Sequence, residues 1–188
     1  MLCGTGWSGR RIEARGLEIL GPDAAPVVPE LIQRLGNDQQ VSTAAAALAS
    51  IGKPALWRLM EVLTNRATPD HVRAQAAYTL GLMGTGASES ADVLVALLQD
   101  KPQVAASAAT ALANVATNMD DLVPTLTRAA MAQDHSTRLA SITALGRFGA
   151  YARPAIPVLE TFLTNEDASV RWAATNALSR ISKGRLGQ

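Results

Sequence analysis

The feature that most constrains this chain is a phrase it repeats, clearest at Val72-Arg73-Ala74-Gln75-Ala76-Ala77-Tyr78-Thr79-Leu80-Gly81-Leu82-Met83-Gly84. Aligning its copies places an anchor leucine at Leu17, Leu48, Leu80, Leu112, Leu145 and Leu178, at spacings of 31, 32, 32, 33 and 33 residues. A self-similar period in this range belongs to arrays of stacked units. One such unit is too short to bury its own apolar face. Neighbours must supply the cover, and the chain grows into an elongated solenoid with a long continuous surface.

Within each unit the spacing predicts two helices. In the fifth unit Leu139, Ala140, Thr143, Ala144, Leu145 and Phe148 form the first helix, which Gly149 ends. Ala155, Ile156, Leu159, Phe162 and Leu163 then recur three and four residues apart, as an amphipathic second helix requires. Pro154 and Pro157 stand at its opening, where a missing amide costs little. The same pairing predicts first helices near 10–20, 40–51, 69–83, 103–116, 136–148 and 168–182, and further second helices near 26–36, 54–65, 90–99 and 121–132. Starts read at Thr68-Pro69-Asp70, Asp134 and Asp167, where a short polar side chain accepts from unpaired amides. Stops read at Gly21, Gly52, Gly84 and Gly149. Alanines such as Ala44 to Ala47, Ala76-Ala77 and Ala108-Ala109 fall on first helices, where small side chains allow close helix approach. No alternating pattern is long enough for a strand. The expected fold is all-α: a right-handed α-α superhelix of about five to six helical hairpins. It runs as one solenoid over residues 10–182, after a flexible leader at 1–9 and before a short tail at 183–188.

Composition then narrows the function classes. The chain is 48% hydrophobic but only 4% aromatic, which favours closely packed small-residue helices. Lys plus Arg (17) nearly balances Asp plus Glu (16), so no general field draws phosphate backbones or acidic membranes, and neither partner is favoured. Cys3 is the sole cysteine, which excludes an intrachain disulfide and a thiol metal cluster and suits a reducing cytosol. The leader lacks the apolar middle of a signal peptide, and no run reaches ~18 apolar residues. A soluble cytoplasmic protein is expected.

Val72-Arg73-x-x-Ala76-Ala77-x-x-Leu80-Gly81, Val170-Arg171-x-x-Ala174-x-x-Ala177-Leu178 and Thr137-Arg138 with Ala144-Leu145-Gly146 resemble the short HEAT-like repeats named after phycobilin lyases. The resemblance covers residues 10–182. It implies the armadillo-type solenoid, and a family in which similar folds serve as protein-binding scaffolds, bilin-attachment proteins, a metal-dependent hydroxylase and, more distantly, DNA glycosylases. Fold alone does not choose among these.

Each special chemistry needs residues of its own. Asp38, Asp70, Asp134 and Asp167 precede first helices, and Arg73, Arg138 and Arg171 sit just inside them, with Arg10 a weaker copy and Ala105 an interruption. Recurrence with the repeat favours capping and salt bridges between units over a charged binding ladder. His71 and His135 follow aspartates two repeats apart, too far to share an ion, so they read as solvated loop histidines. No His-Glu pair, Gly-x-Ser-x-Gly elbow or phosphate-binding glycine loop occurs. No cofactor, metal or catalytic constellation is expected.

In related solenoids the second helices usually line the concave side. With Leu56, Leu59 and Leu63, and likewise Ile156, Leu159 and Leu163, pointing inward, a neighbouring row of mixed charge faces outward; it includes Gln33, Met60, Glu61, Arg128 and Glu160, with Trp57 a turn earlier. Trp and Arg are enriched at interface hot spots. The expectation is therefore a non-catalytic scaffold binding a protein or peptide partner through a concave second-helix face, with Trp57, Arg58, Glu61 and Arg128 as contacts. Two alternatives stand beside it: a bilin-lyase-like or other small-molecule groove, and a self-assembling segment. The last rests on the helix at 168–182, which has no second helix to cover it and carries Trp172 as the expected self-association residue.

Overall fold

The computed structural model describes residues 21–183. The leader and the first helix expected at 10–20 lie outside the described residues, as do 184–188. Within them the chain forms ten α-helices and no strand: α1 (Val28–Arg34), α2 (Val41–Ile51), α3 (Lys53–Thr64), α4 (Asp70–Met83), α5 (Ala91–Leu97), α6 (Pro102–Val115), α7 (Met119–Ala130), α8 (His135–Phe148), α9 (Ile156–Thr161) and α10 (Ala168–Lys183). The even-numbered helices carry the repeated phrase; the odd-numbered ones are the second helices. Apart from tightened ends at α1, α5 and α9, the expected boundaries agree with these to within a few residues.

The hairpin breaks differ from expectation. The segments Gly21–Val27, Gly84–Ser90 and Gly149–Ala155 are seven-residue 3-10 segments in alternate units, the second kinked at Ala87, whose backbone is not helical. Prolines inside the first and third, and the Gly- and Ser-rich Gly84-Thr-Gly-Ala-Ser-Glu-Ser of the second, weaken the α-helical ladder and favour the tighter turn. The chain leaves α2, α4 and α8 through Gly52, Gly84 and Gly149 at φ 77°, 59° and 56°, a region that side chains rarely tolerate. A further 3-10 turn at Phe162–Thr164 extends α9 and rotates its end, so Leu163, expected to point inward, is exposed and Ile156 is only partly covered.

The core lies between the two layers. Leu48, Leu80, Leu112 and Leu145 from the first helices are fully buried against Leu56, Leu59, Leu63, Leu94, Leu126 and Leu159 from the second. Leu178 on α10 is only partly covered. First helices pack directly along one another from α2 through α10, whereas second helices make few contacts with their counterparts. The Leu-Gly of the phrase explains the closeness: a Cβ on Gly81 would stand 3.1 Å from the Ala111 Cα, and one on Gly146 2.8 Å from the Ala177 Cα. In a curved two-layer stack the layer of closest neighbours has the smaller radius. That layer is the first helices, so the expected concave second-helix face is corrected: the second helices form the outer layer.

Candidate binding face

The recurring arginines are occupied by the fold. Arg73, only 3% exposed, donates from Nε to the Leu63 carbonyl at 3.0 Å and through its guanidinium to Asp100 of the next unit at 2.6 and 3.1 Å. Arg138 donates to the carbonyls of Ala132 and Gln133, and Arg171 to those of Asn165 and Glu166. The shared role is to satisfy carbonyls left open where the preceding second helix and its loop end. The paired guanidinium holds the Asp100 carboxyl down at about 2.

The aspartates divide. Asp134 caps α8 by accepting from the Thr137 amide at 2.6 Å, and Asp167 accepts from the Ser169 hydroxyl and from its amide, the latter at 2.7 Å; these bonds hold both carboxyls below their ordinary range. Asp70 does not cap. It begins α4, where Pro69 holds the cap position, and pairs with Lys101 at 2.8 Å. Asp38 is exposed, and its neighbour Asn37 makes the local turn by accepting from the Gln39 amide. His135 reaches Asp167 of the next unit at 3.1 Å, a contact between units, while His71 is exposed. Among the described residues no group of His, Cys, Asp and Glu is arranged to hold a metal ion.

Among the described residues, three depressions open on the first-helix face. The largest of these three, about 310 Å³, lies across α2, α4 and α6 and is lined by Ser42, Gln75, Tyr78 and Ser107. A small one between α4 and α6 is walled by Tyr78, Leu82, Thr110 and Asn114. The third, about 110 Å³, lies between α8 and α10 beside Thr143, Trp172, Asn176 and Arg180. These residues occupy fixed repeat positions. Tyr78, Thr110, Thr143 and Asn176 stand two before the anchor leucine; Leu82, Asn114, Arg147 and Arg180 stand two after it. The large apolar side chains Tyr78, Leu82 and Trp172 remain exposed along this face, Trp172 by 71%.

Trp57, Arg58, Glu61 and Arg128 sit on the outer layer. Trp57 is 55% exposed, Arg58 pairs with Glu61 at 2.8 Å within α3, and Arg128 is exposed on α7 with α5 intervening. The structure does not bring the four into one patch. Trp172 stands beside the inner depression, while the rest of the exposed side of α10 is polar: Thr175 and Ser179 occupy positions that in earlier units hold Ala or Ile and Ala or Gly. Sequence reasoning did not single out Tyr78, Leu82, Asn114 and Arg180, which line these depressions, because it followed what repeats. The available signal was the reverse: rows that vary within an otherwise constant phrase.

A family model for HEAT repeats matches residues 28–113 and 100–179. No curated protein matches the sequence. Among solved structures, the chain is similar to one in the complex of CpcE and CpcF of phycocyanin lyase from Nostoc sp., at 22% identity and a TM-score of 0.69, covering 81% of this chain and 98% of that one. An engineered protein matches at 23% identity and 0.56, covering 97% and 96%. Human deoxyhypusine hydroxylase matches at 18% and 0.54, covering 92% and 68%. At these identities the likeness is one of fold.

Proposed function

The chain belongs to the HEAT-repeat family, and from that premise we propose that it is a non-catalytic scaffold that captures a partner protein or peptide on its inner, first-helix face. The observation that carries this reading is the coincidence of all three described depressions with the exposed Tyr78, Leu82 and Trp172 on one face. Aromatic side chains that stay exposed while the alanines around them are buried supply large contact area at little entropic cost. The depressions are shallow and sit on a rigid layer, which suits recognition by preformed shape. The likeness to one chain of a two-chain lyase complex supports a protein partner.

The outer row is the competing surface. The test is to purify the partner on the tagged protein, identify it, and measure its affinity for Tyr78→Ala and Trp172→Ala beside Trp57→Ala and Arg128→Ala. The inner-face reading expects roughly tenfold or greater weakening for the first pair and none for the second. The reverse pattern would assign binding to Trp57, Arg58, Glu61 and Arg128. A small-molecule role, supported by the lyase likeness and by a depression near the lower limit of ligand-pocket volumes, predicts visible absorbance or a thermal shift with an open-chain tetrapyrrole.

A further inference from the structure

The inner face has a polarity along the stack. At α4 it is apolar, with Tyr78 and Leu82 exposed; at α6 it presents Thr110 and Asn114; at α8 and α10 the same repeat positions hold Arg147 and Arg180. Both arginines are exposed, and neither has an ion-pair partner among the described residues. The first-helix rows two before and two after the anchor leucine hold no acidic residue in any unit. Acidic groups lie instead at the opposite ends of the first helices, where Asp70, Asp134 and Asp167 are tied to Lys101, Thr137 and Ser169. The α4 region of the groove thus offers uncharged apolar area, and the α8–α10 region offers two guanidiniums, Arg180 in the depression beside the exposed Trp172, with no internal carboxylate next to either.

On the reading of this face as the binding surface, we propose that its occupant is a segment of a partner protein carrying an apolar anchor for Tyr78 and Leu82 and carboxylates for Arg147 and Arg180. The spacing follows from the stack. Neighbouring helices lie about 8 to 10 Å apart, so Leu82 is about 18 Å from Arg147 and about 27 Å from Arg180. An extended chain advances about 3.3 Å per residue, which puts the acidic residues about five to nine positions from the anchor. Guanidinium pairs carboxylates through two parallel hydrogen bonds, and at the edge of a groove such pairs fix register and specificity. A nucleic acid fits less well: the two arginines neutralise few phosphates, the chain's net charge is only +1, and the aromatics are not stacked in series.

The experiment is selection of a phage-displayed random 12-residue peptide library on the purified protein, followed by fluorescence anisotropy of the enriched peptides. The expected result is enrichment of peptides pairing an aromatic or aliphatic residue with Asp or Glu at that separation. Their affinity should fall about tenfold or more in the Arg147→Gln/Arg180→Gln double variant and in Tyr78→Ser, and should weaken as salt rises. Enriched peptides without acidic bias that still lose affinity in Tyr78→Ser would overturn this inference and leave the inner-face scaffold standing. Peptides whose binding falls only in Trp57→Ala, or a library with no enrichment, would overturn both. Displacement of the selected peptides by a single-stranded oligonucleotide with matching affinity would overturn the assignment to a protein segment.

Discussion

At the residue scale, the polar groups that matter most to stability are those buried between units. Arg73 joins the end of α3 to Asp100 of the next unit through a planar fork, which lysine cannot reproduce. Arg73→Lys should therefore cost about 2 kcal/mol by leaving a buried carbonyl or carboxylate oxygen unpaired, read as a lower denaturant midpoint. Asp100 titrates at about 2 when folded, below its ordinary value of 3.8. The unfolded chain therefore binds more protons between those values. The stability this pair supplies is fully present above pH ~4 and lost as pH falls through ~2, about 2 kcal/mol in all. Acid unfolding of wild type beside Asp100→Asn should show that slope flattened in the variant. Ser141 is the contrary case: its buried hydroxyl has no hydrogen-bond partner, at a repeat position where Ala44, Ala76, Ala108 and Ala174 stand in the other units. Ser141→Ala should stabilise the protein by about 1 kcal/mol, raising the midpoint without changing the slope.

At the scale of elements, the packing of first helices depends on the glycine after the anchor leucine. A helical glycine normally costs about 1 kcal/mol relative to alanine, so the exchange would gain stability if space allowed. At Gly146 it does not, because the added Cβ would meet the Ala177 backbone at 2.8 Å and force α8 and α10 apart. Gly146→Ala should lose about 1 to 3 kcal/mol. Gly81→Ala, whose Cβ would stand at 3.1 Å, should be milder. Thermal unfolding of the two variants side by side decides the order, and equal stabilisation in both would refute the close-approach account. The anchor leucines grade in the same manner. Leu112 is fully enclosed and Leu178 only partly covered, so Leu112→Ala should cost about 3 kcal/mol or more, with a visibly smaller loss for Leu178→Ala.

At the scale of the whole molecule, each unit is covered mainly by its neighbours, and stability becomes a sum of units and interfaces. Amide hydrogen exchange should be slowest in α4, α6 and α8, which have packed first helices on both sides, and faster in α10. The repeat, the helix pairs and the glycine exits were legible in the sequence because each recurs in phase with the anchor leucines at Leu48, Leu80, Leu112 and Leu145; of the salt bridges expected between units for the recurring arginines, Arg73 makes one, while Arg138 and Arg171 donate to carbonyls instead. The face proposed for binding was not. Trp57, Arg58, Glu61 and Arg128 stood out by residue type, yet they lie on the outer layer. Tyr78, Leu82 and Arg180 looked like ordinary departures from the phrase.

The sequence by itself determined a stack of paired helices, because period, helical spacing and glycine punctuation act locally and are written into every unit. Only the tertiary structure decided which layer faces inward. That choice depends on how closely neighbouring helices approach, which is set where Gly81 meets Ala111 and Gly146 meets Ala177, about thirty residues apart in the chain. Curvature arises from that difference in spacing between layers, so residues of one phrase become either core or groove according to contacts that no single repeat contains.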